Sequence, residues 1–245
     1  MRSSRWLFAA AVALLGCGHD WDRYDPRGAG PSPGGTGAGG AGGGGGTNPD
    51  CGPNGLLQLV DGFDDGVIDT VAWVPVEEES AGLSEQGGAL VVSLPDPTDP
   101  IAFAGVFSRS TYDLTGCGIM VRVLEVPDPA THGYAQISAN ADGIGYVEIL
   151  QEGGKLYAKK VINDVHTFFG EVIHDPVAHA FWRIRESGGL VLWETSSNGQ
   201  AWAILAIEPA PMPVTAIQVG ISAGTYKAEP VPAGVYRVDA VNVPP

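Results

Sequence analysis

The chain has 245 residues, 44% of them hydrophobic and only 17% charged, with 36 glycines and 19 prolines. That length suffices for one sizeable domain plus appendages. A formal net charge of −15 repels phosphate backbones, so nucleic acid is not an expected partner; a cation, a neutral polymer or a basic partner fits better.

The first sixteen residues read as a targeting segment. "MRSSR" is a short basic stretch, and "WLFAAAVALL" is an apolar run too short to span a bilayer as a mature helix. "LLGC" then ends at Cys17. This resembles a bacterial lipoprotein signal peptide, in which small residues precede a lipidated cysteine. The resemblance implies residues 1–16 as the signal peptide, cleavage before Cys17, and attachment to the lipid bilayer through acyl chains on Cys17. Several acyl chains hold a membrane firmly where one is marginal. Loss of Arg2 and Arg5 would leave 11 basic against 28 acidic residues, a net charge of −17. Gly18, rather than Asp, at the next position implies an exported protein sorted to the outer membrane.

Residues 17–50 form the expected tether. The stretch from Gly28 to Gly46 holds 12 glycines in 19 positions and no large apolar side chain. Such a sequence cannot bury enough surface to offset its ordering entropy. As a flexible coil, Gly18 to Asp50 would span roughly 30 Å, with a reach near ~110 Å when extended. The glycine run lacks the G-K-[ST] ending of a phosphate-binding loop.

From residue 51 to 245 the pattern changes. Apolar runs of five to nine residues recur between Gly, Pro, Asp and Asn: "GALVVSL", "GIMVRVLEV", "GYAQISANA", "GYVEILQ", "KLYAKKVI", "RIRE", "LVLWET" and "AIQVGISAG". Several alternate with period two, and none shows helical spacing. The pattern predicts an all-β chain, a two-sheet antiparallel β-sandwich of jelly-roll type. "VDGFDDGVIDTVAWVPV", "SEQGGALVVSLP", "FWRIRESGGLVLWETSSNGQAW", "IQVGISAG" and "YRVDAVNV", in that order, resemble the concanavalin A-like lectin/glucanase superfamily. The resemblance covers most of residues 56–243.

Two thiols remain once Cys17 is acylated. An exported chain meets oxidants, so Cys51 and Cys117 are expected to pair. Closing a loop of ~66 residues stabilises by about 4 kcal/mol in the chain-entropy picture.

The chemistry is less legible. Laminarinase-type members of the superfamily carry E-x-D-x-x-E on a central strand; the nearest stretch, "YVEILQE", has Glu148 and Glu152 but Leu150 where the family has Asp. Four residues along a strand separate two carboxylates by roughly 13 Å, beyond the ~5 Å of retaining and ~6.5–9.5 Å of inverting glycosidases, and only a bulge would bring them closer. "GISAG" around Ser222 matches a nucleophile elbow in letters alone, because the prolines that follow bar the required helix. "HDPVAH" (His174, Asp175, His179) matches no zinc spacing and reads as a turn. Calcium is the one expected cofactor: the resemblance places the first and last strands side by side, with Asp61, Asp64, Asp65 and Asp239 as hard oxygen ligands. The same acids would equally serve as turn and strand caps.

Polar and aromatic residues expected to project from central strands as a ligand-binding face are Arg122, Tyr134, Gln136, Tyr146, Glu148, Arg183 and Trp193. Trp193 is the expected sugar platform, with Arg183 beside it, while Trp182 and Trp202 are expected in the core. Asn198-Gly199 predicts a type I′ hairpin turn. The function these features imply is a surface-anchored lipoprotein displaying a non-catalytic binding domain for carbohydrate or another extracellular polymer. The alternatives are a structural or adhesion module recognising protein, and a glycan hydrolase of laminarinase-like fold with a non-standard site.

Overall fold

Among the described residues fourteen strands build two antiparallel sheets of seven. The structure, a computed structural model, describes residues 51, 55–98, 101–228 and 231–244. All lie in the second of two compact units, Ser32–Pro245; the signal segment, Cys17 and the glycine tether lie outside the described residues. The strands are β1 (Trp73–Glu78), β2 (Gly82–Glu85), β3 (Leu90–Leu94), β4 (Phe103–Ser108), β5 (Gly118–Glu125), β6 (Gly133–Ala141), β7 (Gly145–Glu152), β8 (Lys155–Ile162), β9 (Val165–Ile173), β10 (Phe181–Ser187), β11 (Leu190–Ser196), β12 (Ala203–Pro209), β13 (Ile217–Thr225) and β14 (Gly234–Val241). The first sheet runs β1-β4-β13-β6-β7-β8-β9 and the second β12-β11-β10-β5-β14-β3-β2. The one helical element among the described residues is a 3₁₀ turn, Leu56–Gln58.

Period-two alternation sets the faces. In β6, Ala135, Ile137, Ala139 and Ala141 point into the core, and so do Ile119, Val121 and Val123 of β5. Trp73, Trp182, Trp193 and Tyr236 are the largest side chains in that core, each fully buried. Two-residue turns fix the register of the β7-β8-β9 meander. Gly153-Gly154 (φ 55° and 76°) and Asn163-Asp164 (φ 49° and 62°) both occupy the left-handed region that a type I′ turn demands. The turn at Asn198-Gly199 differs from expectation. Only Gly199 has positive φ (69°), and Asn198 Oδ1 instead accepts the N–H groups of Gln200 and Ala201, both at 2.9 Å. Its side chain closes a longer loop between β11 and β12, an Asx-type solution that competes with the tight hairpin.

The first and last strands are not neighbours, because β1 lies in the first sheet and β14 in the second; what meets the last strand is the segment before β1, through an isolated bridge at Asp61. Asp61 and Val241 exchange backbone hydrogen bonds of 3.2 and 2.8 Å. Asn242 ties the entry segment down, donating from Nδ2 to the carbonyls of Leu56 and Leu59, both at 2.9 Å.

Cys51 and Cys117 form a disulfide across 66 residues, with Cα atoms 5.0 Å apart. It joins the entry of the domain to the start of β5. Reduction is expected to remove about 2–4 kcal/mol, the common range for a native bond. Thermal melts with and without a thiol reductant check this; superimposable curves would contradict it.

Candidate functional site

A row of side chains crosses the outer face of the first sheet at its middle. Cross-strand pairing places Val74, Phe107, Gly220, Ser138, Glu148, Lys159 and Phe168 in register, one from each of the seven strands. A second row, Gly105, Ser222, Gln136, Leu150 and Tyr157, runs beside it. Glycines let aromatic rings lie against the sheet. A Cβ on Gly220 would sit 2.7 Å from the Phe107 ring, and one on Gly224 would sit 2.7 Å from the Tyr134 hydroxyl. Only a residue without a side chain permits that approach.

The centre of this face is a buried ion pair. Glu148 Oε1 lies 2.6 Å from Lys159 Nζ, with side-chain exposures of 0% and 4%. Beyond Lys159, neither carboxylate oxygen has a hydrogen-bond partner. Burial pushes the Glu148 carboxyl above the ordinary carboxylate range, Lys159 pulls it back, and Glu152 adds to the rise. Lys159 Nζ in turn sits 5.3 Å from the Phe168 ring centre and 5.8 Å from that of Tyr146, within cation–π range. Tyr157 and Phe168 meet edge to face at 5.6 Å, and Phe168 is 51% exposed at the rim. Other polar atoms are unspent: the Ser222 hydroxyl and the Asn140 carbonyl oxygen are buried without partners, and Gln136 is buried beside them. Buried polar atoms without partners are uncommon in folded proteins.

The carboxylates of this face are held apart. β7 pairs with β6 and β8 in unbroken register from Gly145 to Glu152, so no bulge brings Glu148 and Glu152 together and their spacing stays near ~13 Å. Leu150 sits between them. Ser222 lies in the middle of β13, with no helix after it. Strand geometry thus denies both the paired-carboxylate and the nucleophile-elbow arrangements.

The seven residues expected to share a binding face are divided three ways. Tyr134, Gln136, Tyr146 and Glu148 do share the outer face of the first sheet. Arg122 and Arg183 stand on the outer face of the second, on the far side of the sandwich. Arg122 is paired with Asp239 at 2.6 Å, and the Arg183 guanidinium lies 3.9 Å over the Trp202 ring. Trp193 faces neither surface. It pairs across strands with Ile184, is fully buried, and meets Phe169 edge to face at 4.9 Å. The expected roles of Trp193 and Trp202 are therefore exchanged: Trp193 is core and Trp202 is the half-exposed ring. Register decides this, because Trp193 shares the inward phase of Trp182 and Ile184, whereas Trp202 lies in the loop, outside any strand phase.

The aspartates expected to hold calcium are otherwise engaged. Asp61 accepts the Trp73 indole N–H at 2.7 Å and the Phe63 N–H at 2.8 Å. Asp65 accepts the Val67 N–H, and Asp239 holds Arg122. Asp64 makes no ligand set with them: among the described residues, no group of three or more His, Cys, Asp or Glu is placed to hold a metal ion. In the 174–179 turn, Asp175 accepts N–H bonds from Val177 and Ala178, which holds its carboxyl low. His174 and His179 stack at 6.0 Å, and burial lowers both imidazoles.

Lys159, Phe168, Tyr157 and Ser222 were not among the expected site residues. One signal was available for Lys159. In "KLYAKKVI" a charge interrupts an apolar strand opposite Glu148, and opposite charges facing across strands pair.

No protein-family model matches the chain, and no curated protein matches it in sequence. Solved structures do. A glycosyl hydrolase family 16 protein from Mycobacterium smegmatis is 13% identical, with a TM-score of 0.56 over 74% of this chain and 97% of that one. The Bacillus licheniformis β-glucanase is 14% identical, with a TM-score of 0.56 over 74% and 95%. A variant of LamA from Zobellia galactanivorans, in complex with laminaritriose and laminaritetraose, is 11% identical, with a TM-score of 0.57 over 74% and 96%. At these identities the likeness establishes the jelly-roll sandwich.

Proposed function

We propose that the domain binds carbohydrate without hydrolysing it, on the outer face of the first sheet. The observation that carries this is the Glu148–Lys159 pair: the carboxylate at the family's catalytic strand is buried against an ammonium and faces Leu150 instead of a second acid nearby. The rest of that face suits a sugar. Tyr157 and Phe168 offer rings for the apolar side of a pyranose, and Ser222, Gln136 and Asn140 offer hydrogen bonds for its hydroxyls. A neutral ion pair at the centre fits a neutral ligand. The structural neighbours, named as β-glucanases and as a laminarioligosaccharide complex, support a glucan as the first ligand to try. Export and anchoring through an acylated Cys17, with residues 17–50 as tether, belong to the same proposal and rest on the sequence alone.

Isothermal titration with laminaritetraose and with a mixed-linkage β-1,3-1,4-glucan oligosaccharide tests the seat. Phe168→Ala removes one stacking ring, worth about 1–3 kcal/mol by analogy with other stacked ligands, so binding should weaken tenfold or more. Undiminished affinity in Phe168→Ala would contradict the assignment of the seat to this face.

A further inference from the structure

The outer face of the second sheet carries a charge arrangement that the fold does not use up. Glu194, 2% exposed, accepts from two guanidinium groups at once. Arg185 takes it with two bonds, Nε at 2.8 Å and Nη2 at 3.2 Å. Arg183 reaches it through Nε alone, at 2.8 Å. The Arg183 guanidinium lies over Trp202, its central carbon 3.9 Å from the ring centre. Among the described residues neither terminal nitrogen of Arg183 has an acceptor, on a side chain 25% exposed. Ion pairs between other described residues are one to one: Arg122–Asp239, Lys155–Glu171, Lys159–Glu148 and Lys160–Glu208. Here two cations share one anion, a local surplus of one positive charge in a chain of net charge −15.

We propose that Arg183, Arg185 and Trp202 form a second ligand site, opposite the first, which takes the carboxylate of a uronic-acid residue in an acidic polysaccharide. A guanidinium fixed by a buried carboxylate below and an indole face beside it has little freedom left to lose on binding. Its open edge presents two parallel N–H donors, the geometry that matches the two oxygens of a carboxylate. The surroundings suit a sugar rather than a bare ion. Ile204, the cross-strand neighbour of Glu194, is 57% exposed, and Met120 is the cross-strand neighbour of Arg183. With Trp202 they give an apolar border to one charged point. A neutral pyranose leaves the surplus charge unmatched. The acidic remainder of the protein acts against a polyanion only at short range, because the Debye length is about 8 Å at physiological ionic strength. The sugar class rests on the carbohydrate reading above, but the site shares no residue with the first.

The test is titration of the intact protein with a galacturonate oligomer, its fully methyl-esterified form, laminaritetraose and poly-glutamate. The acid should bind, and the ester, which keeps the shape and loses the charge, should bind at least tenfold more weakly. Arg183→Lys keeps the charge but loses the fork and the stack; Trp202→Ala loses the stack. Each should weaken the acid tenfold or more, with laminaritetraose binding near wild type and the domain still folded, its melting temperature lowered by a few degrees at most. Phe168→Ala should leave galacturonate binding unchanged. Equal binding of acid and ester, no binding of the acid, an unaffected Arg183→Lys, or loss of the acid in Phe168→Ala would overturn the proposal. Poly-glutamate competing as well as galacturonate would overturn the sugar class. Galacturonate binding without laminaritetraose binding would sustain this site and remove the other.

Discussion

Trp193→Ala is expected to destabilise the domain by about 3–5 kcal/mol, the range for deleting a large buried aromatic. For a domain of this size that is a fall in Tm of roughly 6–20 °C. The indole is fully buried between the sheets and is packed edge to face on Phe169 at 4.9 Å. Phe169 in turn lies under Lys160, whose Nζ is 5.5 Å from its ring centre and 3.3 Å from Glu208 on β12. Removing Trp193 therefore opens the edge where β9 and β12 approach each other. Its Nε1 has no hydrogen-bond partner, a cost the native state carries, so Trp193→Phe, which removes that N–H and keeps most of the ring, should lose far less than Trp193→Ala. Trp202→Ala is the contrast. It removes a half-exposed ring and a cation–π contact with Arg183, worth about 0.5–2 kcal/mol. Thermal melts of the three variants decide the matter: a Trp202→Ala loss equal to or above that of Trp193→Ala would contradict the register described here.

Lys159→Met should cost a comparable amount, about 3–5 kcal/mol, because it strands Glu148 as an uncompensated buried carboxylate. The pair need not be stabilising in itself. Replacing both partners by apolar or neutral groups of similar shape is often neutral, so Glu148→Gln with Lys159→Met should recover most of the loss. The pH dependence has a definite sign. Burial raises the folded-state value of Glu148 above its ordinary 4.5, so folding disfavours the ionised form relative to the unfolded chain. In Lys159→Met the loss relative to wild type should therefore be small below about pH 4.5 and grow as pH rises through the raised value. Urea unfolding of wild type and variant across pH 4–8 measures it; a deficit that grows toward acid pH would contradict the geometry.

Most of the sandwich was legible because burial of one face per strand writes a period of two. The runs "GIMVRVLEV", "GYAQISANA", "GYVEILQ" and "KLYAKKVI" coincide with β5, β6, β7 and β8 to within a residue or so. Alternation does not mark the strands in which that period fails. β4, "FAGVFS", is buried on both faces, so nothing alternates. β9 and β12 are edge strands of the two sheets, mostly exposed or half-exposed, so their apolar residues follow no inward phase. Site residues were harder for a related reason. Alternation shows that two residues share a face, not which of the two sheets carries it. Arg183 and Glu148 each point outward from a central strand, yet they stand on opposite sides of the molecule, and only the order β12-β11-β10-β5-β14-β3-β2 against β1-β4-β13-β6-β7-β8-β9 separates them. The four aspartates were legible as acids near the chain's two ends. Two of their side-chain partners, the Trp73 indole for Asp61 and Arg122 for Asp239, lie 12 and 117 residues away, and spacing does not reveal them.

One incubation tests recognition without cleavage. The purified protein is held with a mixed-linkage β-1,3-1,4-glucan while retention of the polymer and release of reducing ends are followed in the same sample. The predicted result is retention that Phe168→Ala abolishes, with no reducing ends released above a protein-free control. Reducing ends released by wild type and lost in Glu148→Gln would show that the buried carboxylate acts as a catalyst after all.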